Sequence, residues 1–188
     1  MKKALRKKYI LERNNLSKDY RESSTNSIFS TLQNYDFFKR SEKIFIFVSF
    51  DSEIQTENFI KKWINKKQIF IPKIENNKMN LIRIKSWAEL EPGHFGILEP
   101  TSSDYYKGEI DLVITPSIVF DKNGYRLGYG KGYYDRYFTE NKYKISVGLS
   151  YHKLLQENVP KEEHDKQVDI IITEEKTFII NEEYNSNN

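Results

Sequence analysis

The sequence predicts an α/β protein in which helices cover both faces of a mostly parallel, open sheet, giving a single domain of three layers (α/β/α). Short apolar runs typical of buried strands alternate along the chain with segments that have helical spacing. A length of 188 residues fits one domain over 1–188. Residues 181–188 form a low-complexity tail that we expect to fray.

The N-terminal half alternates helical and apolar segments. Leu5 and Tyr9 fall at helical spacing, and Ser17 is a residue type that caps helices. The run Ile-Phe-Ile-Phe-Val within residues 43–49 is typical of a buried strand. The elements predicted here are helices over 2–14 and from Ser17 to about Leu32, a strand over 43–49, a helix over 57–65 capped by Thr56, and strands over 68–73, closed by Pro72, and over 79–84.

The C-terminal half contains the remaining strands and a long glycine-rich segment. Ser86 and Glu89 have capping-box spacing, which predicts a short helix. Residues 111–115 form an apolar run that leads through Pro116 into the glycine-rich segment. The elements that follow are a short helix over 133–138, a strand over 144–149, a brief helix near 153–157 and a strand over 169–173.

The most informative segment is residues 120–136, where three glycines alternate with Tyr129 and Lys131. Glycine lets the backbone turn tightly and approach a ligand, and successive N–H groups in such a turn can form an anion-binding concavity. The N-terminus of the following helix adds partial positive charge. The segment is therefore predicted to bind phosphate, although its spacing matches neither a Walker A loop nor the dinucleotide-binding fingerprint.

Motifs that can carry a site follow three of the predicted strands, at residues 49–53, 72–73 and 116–132. Ligands of α/β sheets usually bind beyond the carboxyl ends of the strands. We therefore expect the three motifs to converge on one edge of the sheet.

Composition restricts the class of protein. The 30 Lys and Arg residues stand against 27 Asp and Glu, and so small an excess gives only weak support for a nucleic-acid partner. The absence of cysteine excludes disulfides, a thiolate nucleophile and zinc–thiolate sites. No apolar run approaches the roughly 20 residues that a membrane span needs. We expect a cytoplasmic monomer that binds neither membrane nor nucleic acid.

The glycine-rich segment closely resembles the signature of the 5-formyltetrahydrofolate cyclo-ligases, also called 5,10-methenyltetrahydrofolate synthetases. The signature is carried by Thr115-Pro116-Ser117-Ile118-Val119-Phe120-Asp121 and Gly124-x-Arg126-Leu127-Gly128-x-Gly130-x-Gly132-Tyr133-Tyr134-Asp135. Further matches across the chain are Lys2-Lys3-Ala4-Leu5-Arg6, Phe47-Val48-Ser49, Glu53-Ile54-Gln55-Thr56, Phe70-Ile71-Pro72-Lys73, His164-Asp165 and Val168-Asp169. Ser117 departs from the family pattern, which usually has glycine there.

The resemblance implies an enzyme that uses ATP and Mg²⁺ to close 5-formyltetrahydrofolate into 5,10-methenyltetrahydrofolate. In the family's reaction the formyl oxygen takes the γ-phosphoryl group, N10 attacks the activated carbon, and phosphate leaves. Positioning and charge neutralisation can supply most of the catalysis in phosphoryl transfer. That requirement fits a chain without cysteine and without an evident Ser-His-Asp arrangement.

The resemblance assigns ATP to the glycine-rich segment and to the basic opening of the chain. Lys131 and Arg126, with the backbone donors of residues 128–132, would surround the polyphosphate. These two residues and Tyr133 are the expected catalytic residues. The residues expected to bind ATP are Lys2, Lys3, Arg6, Arg126, Leu127, Gly128, Tyr129, Gly130, Lys131, Gly132, Tyr133 and Tyr134.

The resemblance also implies a folate site and a metal site. Glu53 matches the family's folate-contacting glutamate, and a carboxylate is suited to accept from the N–H and NH₂ edge of a pterin. Val48 would form a wall of that pocket, and Tyr133 would pack against the pterin or hold the formyl group. Asp135 and Asp169 are the expected Mg²⁺ ligands, because carboxylates suit that hard ion.

The residues taken alone leave other interpretations open. Lys2, Arg6 and Arg13 share one face of the first helix, which without the family would be a solvated face. Asp135 would be a first-turn carboxylate favoured by the helix dipole, and Asp169 a strand-edge residue. For the whole chain, the alternatives are a non-catalytic folate- or nucleotide-binding module and, with less support, a small RNA-binding protein.

Overall fold

An eight-stranded sheet forms the centre of the molecule in this computed structural model, which describes residues 1–185 apart from the side chain of His94. The strands of the described residues are β1 (Lys43–Ile46), β2 (Gln68–Glu75), β3 (Lys78–Ile84), β4 (Leu90–Pro92), β5 (Leu98–Pro100), β6 (Tyr105–Tyr106), β7 (Ile110–Thr115), β8 (Val119–Phe120), β9 (Arg126–Leu127), β10 (Tyr143–Leu149), β11 (Ile170–Ile172) and β12 (Thr177–Ile179). Eight of them form the central sheet, while β4 pairs with β5 and β8 with β9 in two separate two-stranded sheets. The sheet order is β12-β11-β10-β7-β1-β2-β3-β6. The five strands from β11 to β2 are parallel, and antiparallel strands complete both edges.

Helices flank the sheet. They are α1 (Lys2–Asn14), α2 (Lys18–Asn34), α3 (Asp36–Arg40), α4 (Glu57–Trp63) and α5 (Tyr133–Glu140). Ser17 caps α2 as predicted, since its hydroxyl accepts a hydrogen bond from the Tyr20 N–H. Within residues 1–185, no helix is both long enough and apolar enough to cross a membrane.

Alternating residues of the central strands build two cores, one on each face of the sheet. In β1, Ile44 and Ile46 belong to one core and Phe45 to the other. The first core packs α1 to α4 against the sheet, and the second packs Tyr137 and Phe138 of α5 against the opposite face. This arrangement confirms the predicted α/β fold with helices on both faces of a mostly parallel sheet.

Several predicted boundaries are wrong: the strand predicted over 43–49 ends at Ile46, and the helix predicted over 57–65 ends at Trp63. Two further differences, at Pro72 and Thr56, have local reasons. β2 continues through Pro72, because its pairing with β1 has ended at Phe70 and the missing N–H of proline leaves no gap in that parallel ladder. Thr56 precedes α4 without capping it. Its hydroxyl oxygen instead accepts from the Ser49 N–H at 3.0 Å and fixes the loop that follows β1.

Part of the C-terminal segment has regular structure, which its composition does not predict. The sequence predicts fraying over 181–188, but Glu182–Tyr184 form a three-ten turn. The Tyr184 hydroxyl donates to the Lys144 carbonyl at 2.5 Å. Residues 186–188 lie outside the described part of the chain.

The neighbouring strands β1 and β7 form the topological switch point of the sheet. The chain continues from β1 to β2 on one side, and from β7 to β10 and β11 on the other. In open α/β sheets, the crevice beyond the carboxyl ends of two such strands is the usual ligand site. The loops that follow β1 and β7 therefore meet where a ligand is expected.

Candidate active site

A crevice lies beyond the carboxyl ends of β1 and β7. Glu53 and Ile54 line it from the loop after β1, and Pro116 and Ser117 line it from the loop after β7. Arg13 enters it from the last turn of α1. Two of the three predicted motifs therefore converge as expected. The third lies elsewhere: the Lys73 ammonium donates to the carbonyl of Ser102 at 2.8 Å, in the loop after β5.

Glu53 is a buried carboxylate, 7% exposed, at the wall of this crevice. Its Oε2 accepts from the Phe50 N–H at 2.9 Å, and its Oε1 accepts from the Tyr129 hydroxyl at 2.8 Å. Burial raises the pKa of Glu53, while these two donors and the charge of Arg13 act in the opposite direction. The carboxylate has capacity for further N–H donors, as the predicted folate contact requires.

Arg13 is buried beside Glu53, with 3% of its surface exposed. Its Nε donates to the Ser52 hydroxyl at 2.9 Å, and its Nη1 donates to the Ser117 carbonyl at 3.3 Å. Its Nη2 donates to the Tyr129 hydroxyl at 2.9 Å. The solvated face that the helical stripe alone suggests is therefore wrong for Arg13. The only signal in the sequence was its position seven residues after Arg6 on one helical face.

Tyr129 connects the glycine-rich segment to the crevice. Its hydroxyl oxygen accepts from Arg13 and donates to Glu53, although the residue as a whole is 49% exposed. Burial of the hydroxyl and the nearby Glu53 carboxylate raise the pKa of Tyr129 to about 12, so the phenol stays protonated and remains a donor. The sequence predicts an ATP contact here, but the side chain is directed to the expected folate acceptor.

The glycine-rich segment turns through left-handed backbone angles, with φ of 91° at Gly130 and 65° at Gly132. The Arg6 guanidinium lies against Gly130, where a Cβ would come within 3.0 Å of its Cζ. Arg6 Nε also donates to the Gly128 carbonyl at 2.7 Å. The first helix thus contacts the predicted phosphate loop, and the φ of 91° favours glycine at position 130.

The three lysines expected to bind ATP differ in their surroundings. Lys131 is exposed, and its ammonium makes no hydrogen bond or ion pair to another described residue. Lys3 is also exposed. The Lys2 ammonium lies 2.8 Å from a Glu162 oxygen and 3.3 Å from an Asp165 oxygen, so its charge is already paired.

Arg126 and Asp135 form an ion pair at the base of the loop. Arg126 Nη2 lies 2.6 Å from Asp135 Oδ1, and the two side chains are 5% and 20% exposed. Arg126 Nη1 donates to the Lys166 carbonyl, and the Lys166 N–H donates to the same carboxylate oxygen. Burial lowers the pKa of Arg126, and Asp135 opposes that shift. The Arg126 guanidinium is therefore engaged in hydrogen bonds and an ion pair within the fold.

The two expected Mg²⁺ ligands are in different situations. Asp169 Oδ2 accepts from the N–H and hydroxyl of Ser146, each at 2.8 Å, and its Oδ1 accepts from the Asn181 amide at 3.0 Å. The two oxygens thus link Asp169 to β10 and to the C-terminal segment. Asp135 Oδ2 accepts no hydrogen bond from another described residue.

Asp135 can contribute a ligand to a Mg²⁺ site at the loop. Asp169 is less suited, because both of its oxygens already accept hydrogen bonds. No group of three His, Cys, Asp or Glu residues in the described part of the chain could hold a metal ion. Mg²⁺ commonly binds through one or two carboxylates together with substrate phosphates and water, so it does not need such a cluster. The free oxygen of Asp135 fits that mode of binding.

The remaining expected site residues divide between the core and the loop. Val48 and Leu127 are 8% and 2% exposed and belong to the first core. Tyr134 stacks on the phenylalanine of β1 with ring centroids 5.7 Å apart. The Tyr133 hydroxyl donates to the Asn77 amide oxygen at 3.3 Å, which directs this side chain towards the turn between β2 and β3.

Ser117 fits the turn after β7 without the glycine that the family usually has there. Its hydroxyl is within hydrogen-bonding distance of the carbonyls of Val119 and Leu127, at 2.6 and 3.0 Å. Its φ lies outside the left-handed region that would favour glycine. The departure from the family pattern therefore leaves the turn intact.

Comparison with known proteins assigns this chain to a family. The family model described as the 5-formyltetrahydrofolate cyclo-ligase family matches residues 1–174. This chain belongs to that family. A Caenorhabditis elegans protein named probable 5-formyltetrahydrofolate cyclo-ligase is 30% identical over 182 residues, covering 87% of this chain and 88% of that protein.

Two further relatives agree with the assignment. A Mus musculus 5-formyltetrahydrofolate cyclo-ligase is 31% identical over 157 residues, covering 73% of this chain and 76% of that protein. The NMR structure of an Aquifex aeolicus 5,10-methenyltetrahydrofolate synthetase is 34% identical, with a TM-score of 0.86 over 95% of this chain and 92% of that chain. The resemblance carried by the glycine-rich segment is thereby confirmed, as is the expectation of an enzyme of the cyclo-ligase class.

Proposed function

We propose that this cyclo-ligase uses ATP and Mg²⁺ to convert 5-formyltetrahydrofolate into 5,10-methenyltetrahydrofolate, releasing ADP and phosphate. The formyl oxygen attacks the γ-phosphorus and the bond to ADP breaks. N10 then attacks the activated formyl carbon, and the carbon–oxygen bond breaks as phosphate leaves. Phosphorylation is needed because an amide oxygen is a poor leaving group.

One observation supports the proposal most strongly: the phosphate-type loop and the buried carboxylate Glu53 meet at a single crevice. Tyr129 belongs to the loop and hydrogen-bonds Glu53, so the two proposed subsites are in direct contact. Transfer of a phosphoryl group to folate requires the reacting atoms to be held close together. The crevice also lies at the switch point of the sheet, where ligands of this fold class bind.

On the folate side, we assign the pterin to Glu53. Its carboxylate would accept from the N–H and NH₂ groups, and the apolar side chains of Phe47 and Ile54 would contact the ring faces. Tyr133, near the mouth of the loop, is proposed to hold the formyl group. Val48 supports this wall from the core without lining the crevice.

On the nucleotide side, we assign the polyphosphate to the backbone of residues 128–132. Lys131 would bind it as a mobile point charge, since its ammonium is exposed and unpaired within the described residues. Arg6 adds a second cation beside Gly130. Lys2, Lys3, Leu127 and Tyr134 would support this subsite from α1 and the core, and Arg126 would act through its ion pair with Asp135.

Mg²⁺ is proposed to bind at Asp135 together with phosphate oxygens of ATP. When bound, the ion neutralises phosphate charge during transfer. Asp135 lies in the first turn of α5, directly after the loop. Asp169 instead holds β10, β11 and the C-terminal segment together through its three hydrogen bonds. We therefore expect Asp169 to affect stability more than metal affinity.

The test is to mix the purified protein with 5-formyltetrahydrofolate and Mg-ATP and to follow the near-ultraviolet absorbance of the methenyl product. Product should form only when ATP and Mg²⁺ are both present. Product formed without ATP would contradict the proposal, as would none from folded protein that binds both substrates. We further propose a cytoplasmic monomer, for which light scattering during gel filtration tests the oligomeric state.

A further inference from the structure

Arg13 and Glu53 are two opposite buried charges that make no direct ion pair with each other or with another described residue. Removing a charge from water is costly unless the charge is paired and fully hydrogen-bonded. Here a single hydroxyl, that of Tyr129, separates the guanidinium from the carboxylate. The fold alone does not require this arrangement, because a direct ion pair would compensate both charges better.

The hydrogen bonds of the Tyr129 hydroxyl indicate what kind of chemical group fits between the two charges. Its oxygen accepts a hydrogen bond from Arg13 Nη2 at 2.9 Å and donates one to Glu53 Oε1 at 2.8 Å. Arg13 can only donate, and ionised Glu53 can only accept. The pair is therefore complementary to a ligand edge with an acceptor and a donor side by side. The lactam edge of a pterin has this pattern, since its 4-oxo group is adjacent to N3–H.

We propose that Arg13 is a substrate-binding residue that donates to the 4-oxo group of the pterin, while Glu53 accepts from N3–H and the 2-amino group. This inference rests on the proposed function, because it takes the folate to bind at Glu53. Arg13 is oriented for the role by its Nε bond to Ser52 and its Nη1 bond to Ser117, which leave Nη2 directed at the ligand position. The Tyr129 hydroxyl leaves this position when folate binds.

The assignment makes Arg13 a determinant of specificity. A pteridine with a 4-amino group in place of the 4-oxo group would present a donor to a guanidinium that has no acceptor, and its N3, which carries no hydrogen, would face the Glu53 carboxylate. Sites built to hydrogen-bond a substrate group reject analogues that cannot form the bond. We expect the wild-type protein to prefer the 4-oxo compound by about 100-fold or more, because the analogue loses a hydrogen bond to each of the two charged groups and one such bond is worth about 10- to 100-fold.

The experiment measures affinity by calorimetry for two ligands, 5-formyltetrahydrofolate and its 4-amino analogue. Arg13→Met should reduce the preference for the 4-oxo compound by about tenfold, because the charged donor is lost, while the preference that comes from Glu53 and N3–H remains. Arg6→Met is the matched control from the same helix. It should weaken binding of a non-hydrolysable ATP analogue and leave the 4-oxo preference at its wild-type value.

The inference is overturned if the wild-type protein binds both pteridines equally, or if folded Arg13→Met keeps the full preference. Circular dichroism checks folding, and Arg13→Gln, which retains polar atoms but has no charge, decides if the methionine variant does not fold. Failure of the proposed function looks different: the wild-type protein would then not bind or convert 5-formyltetrahydrofolate at all. Normal turnover with an unchanged preference in the variant contradicts only the role of Arg13.

Discussion

At the scale of single residues, the proposed role of Glu53 conflicts with stability, because burial disfavours the charged carboxylate that would bind folate. Burial raises its pKa above the value of about 4.3 expected in the unfolded chain. The folded protein therefore binds more protons than the unfolded chain between those two pKa values. The stability that the protonated form provides is complete below the unfolded pKa and is lost as the pH rises through the folded pKa.

Replacing Glu53 by glutamine should separate these two effects. Glu53→Gln removes a buried charge, so the unliganded protein should melt at a higher temperature at neutral pH, with a smaller difference in acid. Folate affinity should fall by roughly 10- to 100-fold, because an amide presents a donor to pterin N–H groups. Calorimetry should show ATP affinity unchanged. Glu57→Gln, an exposed glutamate of α4, is the control, and undiminished folate affinity in Glu53→Gln would remove Glu53 from the site.

Tyr129→Phe should raise folate affinity. The tyrosine hydroxyl occupies the hydrogen-bonding positions of Arg13 and Glu53 that the pterin is proposed to use. Removing the hydroxyl that competes for Arg13 and Glu53 should strengthen folate binding by about two- to tenfold. Tyr125→Phe is a matched control, since its hydroxyl makes no hydrogen bond to another described residue. A loss of folate affinity in Tyr129→Phe would mean that the hydroxyl contacts the substrate.

At the scale of elements, the phosphate binding proposed for the glycine-rich loop depends on a backbone that α1 contacts through Arg6 and on the exposed side chain of Lys131. Lys131→Ala should weaken ATP by on the order of tenfold, the loss of one charge-assisted contact, and should change folate affinity little. Titrations of both ligands measure this difference. Lys122→Ala is the control, because its ammonium pairs with Glu157 away from the loop. Unchanged ATP affinity together with weakened folate would show that the loop does not bind phosphate.

Loss of a carboxylate should have different effects in helix α5 and directly before strand β11. Asp135→Asn should raise the Mg²⁺ concentration needed for half-maximal turnover, and excess Mg²⁺ should restore part of the activity. Asp169→Asn should lower the melting temperature, by about 2–4 °C for each kcal/mol of hydrogen bonding lost, with an unchanged Mg²⁺ requirement. Melting curves and Mg²⁺ titrations distinguish the two variants. A raised Mg²⁺ requirement in Asp169→Asn would return this residue to the metal site.

Elements with long, regular patterns could be predicted from the sequence, and short ones could not. The alternation of Ile and Phe in β1 and the helical spacing in α1 predict two elements that the structure confirms. β8 and β9 have two residues each, too few for any periodic signal. The helix expected near 153–157 is only a three-ten turn over His152–Leu154. Leu154 is buried in the first core without a full helical turn.

The sequence predicts the parts of the candidate site that belong to motifs. It does not predict the parts that form only when distant segments pack together. Glu53 and the glycine loop belong to motifs, whereas the burial of Arg13 depends on α1 packing across the ends of β1 and β7. Helical periodicity shows which residues share a face but not what that face meets. For the same reason, the hydrogen bonds that occupy both oxygens of Asp169 could not be expected from its place at a strand edge.

At the scale of the whole molecule, α1 connects the two proposed subsites. Arg6 contacts the glycine-rich loop, and Arg13, two turns later, lines the crevice beside Glu53. Tyr129 adds a second connection, from the loop back to Glu53. We therefore expect the γ-phosphoryl group to pass directly from ATP to the folate bound beside it. In that transfer the formyl oxygen itself becomes an oxygen of the released phosphate.

An isotope experiment tests this transfer most directly. 5-Formyltetrahydrofolate carrying ¹⁸O in its formyl group is converted with Mg-ATP, and the phosphate and ADP are analysed by mass spectrometry. Because the formyl oxygen bonds to the γ-phosphorus and leaves with it, each phosphate should contain one ¹⁸O and ADP none. Release of the label into water, with unlabelled phosphate, would contradict the proposed phosphorylated intermediate.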